Sequence, residues 1–98
     1  MVIGDLDEVQ YDLEIDGEQV RKQLARKVWE KGAWATIAIV FSERDRGGDW
    51  KAPKLALLRF RKVRETWKRE AGINFAGDDG LDLASAIDGW RALLRPEA

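Results

Sequence analysis

The amino-acid sequence predicts an α+β domain in which an antiparallel meander of four to five β-strands is followed by one amphipathic helix. Three observations lead to this fold class. Apolar and polar residues alternate strictly over 8–16, the runs 33–43 and 54–62 have strand-forming composition, and apolar residues recur at helical spacing over 82–95. A chain of 98 residues has room for one hydrophobic core, so we expect a single domain.

The first predicted strand, residues 8–16, belongs to an acidic N-terminal segment, residues 1–21, which precedes the rest of the domain, residues 22–98. Alternation with a period of two indicates a strand with one buried face. That face consists of Val9, Tyr11, Leu13 and Ile15. Asp16-Gly17 follows as a predicted tight turn.

Residues 18–31 are consistent with either a helix or a strand. Val20, Leu24 and Val28 recur every four residues, which is typical of a helix. The segments that follow favour a meander of hairpins. We therefore predict a strand over 22–29 that enters a turn at Gly32.

The central strands are predicted over 33–43 and 54–62, on either side of a loop that contains Gly47-Gly48. In the first strand both sets of alternate residues are largely apolar, which is typical of a strand covered on both sides over part of its length. In the second strand one face is apolar, and the other changes from leucine to arginine along its length.

A last strand is predicted over 67–75, with a bulge or bend at Gly72. Residues 76–81 are then expected to form a loop, and the helix to run from about 82 to 95 with Asp82 as its N-cap. The apolar face of this helix contains Leu83, Ala86, Ile87, Trp90 and Leu94. Pro96 ends the helix because proline cannot continue it.

Charge is segregated along the chain, although the formal net charge is only −1. Residues 1–19 carry seven Asp and Glu and no Lys or Arg, whereas residues 20–70 carry 15 Lys and Arg against six Asp and Glu, a net charge of +9. A local positive potential of this kind attracts polyanions even when the whole protein is nearly neutral. The middle of the chain is therefore a candidate binding segment, or a solvated basic face balanced by the acidic segment.

The composition excludes several classes of site. Because the chain contains no histidine and no cysteine, disulfides, thiolate metal sites, imidazole-based catalytic triads and ordinary zinc sites are all ruled out. No apolar run reaches the ~20 residues that cross a bilayer, and the N-terminus lacks the pattern of a secretory signal. We expect a cytoplasmic protein that binds a partner, with no cofactor, no metal and no membrane partner.

The main candidate site is a mixture of cationic and aromatic residues within the basic segment. Lys and Arg neutralise phosphates, while flat aromatic rings stack on unpaired bases. The candidate nucleic-acid-binding residues are Lys27, Trp29, Lys31, Lys54, Arg59, Arg61, Lys62, Trp67, Lys68 and Arg69. Trp34 is expected around the same hairpin as Lys27, Trp29 and Lys31, although it also fits a position that faces the helix. Some of the five tryptophans are expected to be core residues instead, and Trp90 is expected to pack into the sheet or against a partner.

Weaker candidates have ordinary structural explanations. Asp12-x-Glu14-x-Asp16-Gly17 matches the beginning of a calcium loop, but the twelfth position is Gln23 rather than glutamate. Asp78 and Asp79 are adjacent carboxylates, and their position before a helix favours a role at the positive end of the helix dipole. The acidic N-terminal segment either forms a strand or folds over the basic face as a competitor for a polyanion.

The order of these elements resembles the PC4-like family of transcriptional coactivators and its wider relatives, the whirly and Pur-type proteins that bind single-stranded nucleic acid. The resemblance covers roughly residues 22–95 and includes Lys31-Gly32, the basic strand 54–62 and Gly72-Ile73-Asn74-Phe75 before the helix. It implies a strongly curved sheet, dimerisation through the C-terminal helix and binding of single strands on the sheet. The binding positions that it implies are Lys27, Trp29, Arg59, Arg61, Trp67 and Arg69.

We therefore expect a homodimeric protein that binds single-stranded DNA, or RNA, and acts in transcription, replication or repair. The expected dimer interface consists of Leu83, Ile87, Trp90 and Leu94. The alternative is a protein-interaction module whose basic face docks an acidic protein. A third hypothesis is an enzyme that uses Asp78 or Asp79, but the sequence points to no small-molecule substrate.

Overall fold

The computed structural model describes residues 2–95 and confirms the predicted fold class, a curled antiparallel sheet followed by a C-terminal helix. The strands are β1 (Val2–Ile3), β2 (Leu13–Ile15), β3 (Glu18–Lys31), β4 (Trp34–Glu43), β5 (Lys54–Val63) and β6 (Thr66–Ala76). The helical elements are a 3-10 turn (Leu6–Glu8), α1 (Gly77–Gly89) and α2 (Arg91–Leu94). The strand order is β1-β6-β5-β4-β3-β2, so β2 to β6 form the predicted meander and β1 is added beside β6.

Residues 18–31 form a strand, which confirms the choice of strand over helix for 22–29. The strand pairs with β4 from Lys31↔Trp34 to Arg21↔Glu43. Cross-strand pairing over this length outweighs the helical spacing of the valines and leucine, because strand formation depends on neighbours more than on local propensity. Gly32, at φ +57, occupies the tight turn that joins β3 to β4.

One face of the sheet, which we name the covered face, contains the hydrophobic core. It consists of Ala35, Ile37, Ile39 and Phe41 of β4 together with Ala56, Leu58 and Phe60 of β5. All of these side chains are buried. The burial follows the alternation of the sequence, since every second residue of β4 and β5 points to this side.

The N-terminal segment lies across the covered face and supplies part of the core. Leu6, Val9 and Tyr11 are buried in the same cluster as the residues of β4 and β5. Arg26 of β3 fixes the segment, because its two terminal guanidinium nitrogens donate to the backbone carbonyls of Val9 and Leu6, each at 3.0 Å. The curled sheet therefore gains a hydrophobic core without a second layer of strands.

The predicted strand over 8–16 is wrong for its first half. Only Leu13–Ile15 form a strand, and Leu13 and Ile15 are exposed instead of buried. Val9 and Tyr11 are buried as predicted, but from an irregular stretch that crosses the sheet. The alternation predicted correctly that Val9 and Tyr11 are buried, but it predicted the wrong backbone conformation for them.

The helix starts five residues earlier than predicted, and it is interrupted at Trp90, which separates α1 from α2. Residues 77–81 are helical rather than a loop, and the N-cap is Ala76, not Asp82. Asp78 and Asp79 lie in the first turn, where carboxylates stabilise the positive end of the helix dipole. Their charges therefore favour helix in a stretch whose glycines suggested a loop.

The bulge in β6 lies at Glu70 rather than at Gly72. The register passes from Phe60↔Arg69 to Arg59↔Ala71, so Glu70 is the extra residue. One extra residue reverses the side to which all later residues of the strand point. Arg69 therefore lies on the covered face, and Ile73 lies on the opposite one.

Candidate nucleic-acid interface

The sheet side opposite the core, which we name the open face, brings six of the ten predicted binding residues together. It consists of Trp34, Thr36, Ala38 and Val40 of β4 and the residues paired with them on β3, β5 and β6. The predicted binding residues on it are Lys27, Trp29, Lys31, Arg59, Arg61 and Lys68. The five cations and the indole therefore share one surface with Trp34.

Two cross-strand rows form the polar end of the open face. In the first row, Trp29 pairs with Thr36, which pairs with Arg59. In the second row, Lys31 pairs with Trp34, Trp34 with Arg61, and Arg61 with Lys68. Side chains directly opposite one another in such rows lie within contact distance, and diagonal neighbours remain within reach of aromatic rings.

A groove lies between the two indoles. Thr36 is small and half-buried, whereas Trp29 and Trp34 are 53% and 40% exposed. The space has a volume of about 610 Å³ and is lined by Trp29, Trp34, Thr36 and Arg59 together with Val28, Glu30, Lys31 and Ala35. Trp29 lies directly opposite Thr36, and Trp34 lies two residues away on the same strand, so a planar ring placed over Thr36 is within reach of both indoles. Exposed aromatic rings of this kind stack unpaired bases.

The cations of the open face are free to bind an anion. Among the residues that the structure describes, none of Lys27, Lys31, Arg59, Arg61 and Lys68 forms an ion pair within 4.0 Å. The guanidinium carbons of Arg59 and Arg61 lie 4.7 and 5.6 Å from the centroid of the Trp34 ring. Cation–π contacts at these distances hold the indole and the two arginines together while leaving their N–H groups available.

Four predicted binding residues lie elsewhere. Lys54, Lys62, Trp67 and Arg69 belong to the covered face by strand register. Trp67 is only 4% exposed and is part of the core, with the Lys62 ammonium 5.6 Å from its ring. Lys54 forms an ion pair with Glu43 at 3.4 Å. None of these four side chains contributes to the open face.

The predicted dimer residues on the helix are largely uncovered. Ile87, Trp90 and Leu94 are exposed and Leu83 is half-buried. Trp90 is 51% exposed, so it is not packed against the sheet of its own chain. The helix thus presents an apolar stripe outward within the part of the chain that the structure describes.

Sequence reasoning gave little weight to Trp34 and Thr36 and overlooked Trp50. Trp34 and Thr36 lie two residues apart on β4, and the alternation of that strand was the signal that placed them together. Trp50 is half-buried beside the ammonium of Lys22, 4.2 Å away, and the guanidinium of Arg44, 5.0 Å away. This second cluster fastens the loop between β4 and β5.

The weaker candidate sites have structural roles. The Asp12 carboxylate accepts a hydrogen bond from the backbone N–H of Gln23, and Asp16-Gly17 form a tight turn with positive φ angles. Within residues 2–95, no group of three or more Asp and Glu side chains is placed to hold a metal ion. The acidic N-terminal segment lies on the covered face, not over the predicted basic positions of the open face. No helix of the described chain has the length and apolar character needed to cross a membrane.

Comparison of the chain with protein-family models, with curated proteins and with solved structures found no match. The resemblance to the PC4-like family therefore stays a prediction that depends on the order of the strands and the helix.

Proposed function

We propose that this protein binds single-stranded DNA on the open face. The observation that supports this proposal is the presence of two exposed indoles and five unpaired cations on one side of a sheet whose other side is closed by the N-terminal segment. Cations alone would attract any polyanion, and indoles alone would suit many apolar partners. Their combination is suited to a charged backbone that carries exposed planar bases.

In this proposal the two residue types have separate tasks. Lys27, Lys31, Arg59, Arg61 and Lys68 contact phosphates and release their counterions, which provides affinity that does not depend on sequence. Trp29 and Trp34 hold a base over Thr36, which requires that the base be unpaired. Low sequence specificity follows, because every base offers a face for stacking.

The proposal predicts a steep dependence of affinity on salt. Five phosphate contacts give a slope of about −3.5 for log K against log salt, since each contact on a single strand contributes about −0.7. A fourfold increase in salt should therefore weaken binding by about 100-fold. A titration of tryptophan fluorescence with oligo-dT at two salt concentrations measures this slope.

A duplex of the same length is the matched control for that titration, and oligo-U tests RNA in parallel. We expect quenching of fluorescence by the single strands and much weaker binding of the duplex, whose bases are already stacked. A flat response at low salt would refute the proposal. It would favour the alternative function, in which the same five cations dock an acidic protein.

A homodimer that acts as an accessory factor in transcription or replication, in the cytoplasm, completes the proposal. The uncovered side chains of Ile87, Trp90 and Leu94 support dimerisation, because α1 and α2 leave an apolar stripe that a second copy can cover. Sedimentation at several protein concentrations tests this part independently of nucleic acid.

A further inference from the structure

The outer edge of β6 has unpaired backbone groups. β1 pairs with β6 only at Lys68 and Trp67, so within the described residues no strand covers positions 69–76. The segment 71–76, Ala-Gly-Ile-Asn-Phe-Ala, contains no charged residue and no proline. Natural proteins usually protect a free edge with such residues, because unprotected N–H and C=O groups pair readily with another strand.

The opposite edge of the sheet provides a contrast. β2 pairs with β3 only between Glu18 and Arg21, so within the described residues no strand covers the rest of β3, although the Asp12 carboxylate accepts from the backbone N–H of Gln23. That edge carries Lys22, Arg26, Lys27 and Lys31, the kind of charged protection that β6 lacks. The difference between the two edges indicates that β6 is adapted to a neighbour.

The register shows which backbone groups of β6 point outward. The backbone N–H of Lys62 donates to the carbonyl of Ala33, the residue before β4. The backbone N–H and C=O groups of even-numbered residues of β5 therefore point toward β4, and those of odd-numbered residues point toward β6. Because Leu57 is paired with Ile73, the backbone of Ile73 is bonded to β5. The N–H and C=O groups of Gly72 and Asn74 therefore point away from the sheet.

We propose that a second copy of this chain pairs with this edge, antiparallel, about a two-fold axis at Ile73. In that register each Gly72 lies opposite Asn74 of the second copy, and both residues direct their backbone groups outward as the pairing requires. Ala71 lies opposite Phe75 of the second copy, and Ile73 lies opposite itself. Each large side chain thus meets a small one or, at the axis, its own copy.

We name the contact between residues 71–75 of the two copies the seam. The residues that meet in it are uncharged, and the contact is self-complementary, as a two-fold contact must be. Ile73, which is 55% exposed in the single chain, is covered by its own copy. Glu70 lies at the end of the contact, and the guanidinium of Arg69 lies over Gly72, on the covered face and so on the side of the sheet opposite Ile73. In the second copy, β6 ends and the helix begins at Gly77, which lies opposite Arg69 of the first copy. The pairing therefore ends before it reaches β1. The two open faces become neighbours in one continuous sheet.

This inference rests on the homodimer of the proposed function and assigns a strand contact to it. It is tested without nucleic acid by Ile73→Cys, since the chain has no cysteine of its own. Opposite residues that are not hydrogen-bonded to each other have Cα atoms about 4.5 Å apart, within the range that a disulfide spans. Mild oxidation should convert most of the variant into a covalent dimer that a reductant separates.

Two variants control this experiment. Ile15→Cys places the thiol at the other edge of the sheet at the same 55% exposure, and Ala71→Cys places it on the same strand but opposite Phe75 of the second copy. Neither should form more than background dimer. The seam would be refuted if Ala71→Cys formed as much covalent dimer as Ile73→Cys, or if Ile73→Cys formed no more than Ile15→Cys. It would also be refuted if Ile87→Cys formed a covalent dimer and Ile73→Cys did not.

A charge variant separates the seam from the binding function. Ile73→Asp places two carboxylates against each other at the axis and should weaken dimerisation at least tenfold in sedimentation, whereas Ile15→Asp should not. The resulting monomer should still bind a six-nucleotide oligo-dT through its own open face. An Ile73→Asp protein that remains as dimeric as Ile15→Asp would also refute the seam.

Discussion

Replacing Trp29 with alanine should weaken binding of single-stranded DNA without unfolding the protein. The indole is 53% exposed and does not belong to the hydrophobic core, so its removal should lower the free energy of unfolding by about 1 kcal/mol or less. Stacking of one base on an aromatic ring contributes about 1–3 kcal/mol. The dissociation constant of a six-nucleotide oligo-dT should therefore rise by about 5- to 150-fold.

Trp90→Ala is the matched control, because Trp90 is similarly exposed, at 51%, but lies between α1 and α2. Fluorescence anisotropy of a labelled oligonucleotide measures both variants, and urea denaturation shows that both remain folded. We expect the Trp90 variant to bind within twofold of the unmodified protein. Equal losses in the two variants, or no loss in the Trp29 variant, would contradict the placement of the base groove on the open face.

Three further substitutions test other parts of the structure. Arg59→Gln should make the slope of log K against log salt about 0.7 units shallower in the same titration, whereas Arg46→Gln, in the exposed loop between β4 and β5, should leave it unchanged. Arg26→Leu should lower the free energy of unfolding in urea by about 2 kcal/mol, because two hydrogen bonds to the N-terminal segment are lost; no loss would show that the apolar contacts and the hydrogen bonds from Arg21 to Tyr11 and from Gln23 to Asp12 hold the segment without Arg26. Arg64→Gly should raise the free energy of unfolding by about 0.5 kcal/mol. Arg64 has φ +60, which costs an L-residue about 1 kcal/mol, and the greater chain entropy of unfolded glycine offsets about half of the gain. A decrease in the free energy of unfolding would contradict this reasoning.

The sequence predicted the central sheet well because the alternation of apolar and polar residues shows which side of a strand is buried. The division of β5 into an apolar face with Leu58 and Phe60 and a second face with Arg59 and Arg61 appears in the structure unchanged. The same alternation already separated Lys54 and Lys62 from those arginines. Grouping them in one binding strip by charge alone ignored a pattern that the sequence contained.

Two features could not be read from the pattern. The bulge at Glu70 adds one residue, and nothing in a single sequence distinguishes Glu70 from its neighbours as the residue without a partner. Because of that shift, Ile73 lies on the open face although Trp67, an even number of residues earlier, lies in the core. The course of the N-terminal segment is the second feature, because its crossing depends on a contact between Arg26 and the carbonyls of Leu6 and Val9, far apart in sequence.

The N–H signals of the five indoles provide the most direct test of the open face. In a nitrogen–proton correlation spectrum, titration with oligo-dT should shift the signals of Trp29 and Trp34, which line the groove. The signals of Trp67 in the core and Trp90 on the helix should stay in place. Shifts confined to Trp67 or Trp90, or no shift at a saturating oligonucleotide concentration, would contradict the proposal that this face binds unpaired bases.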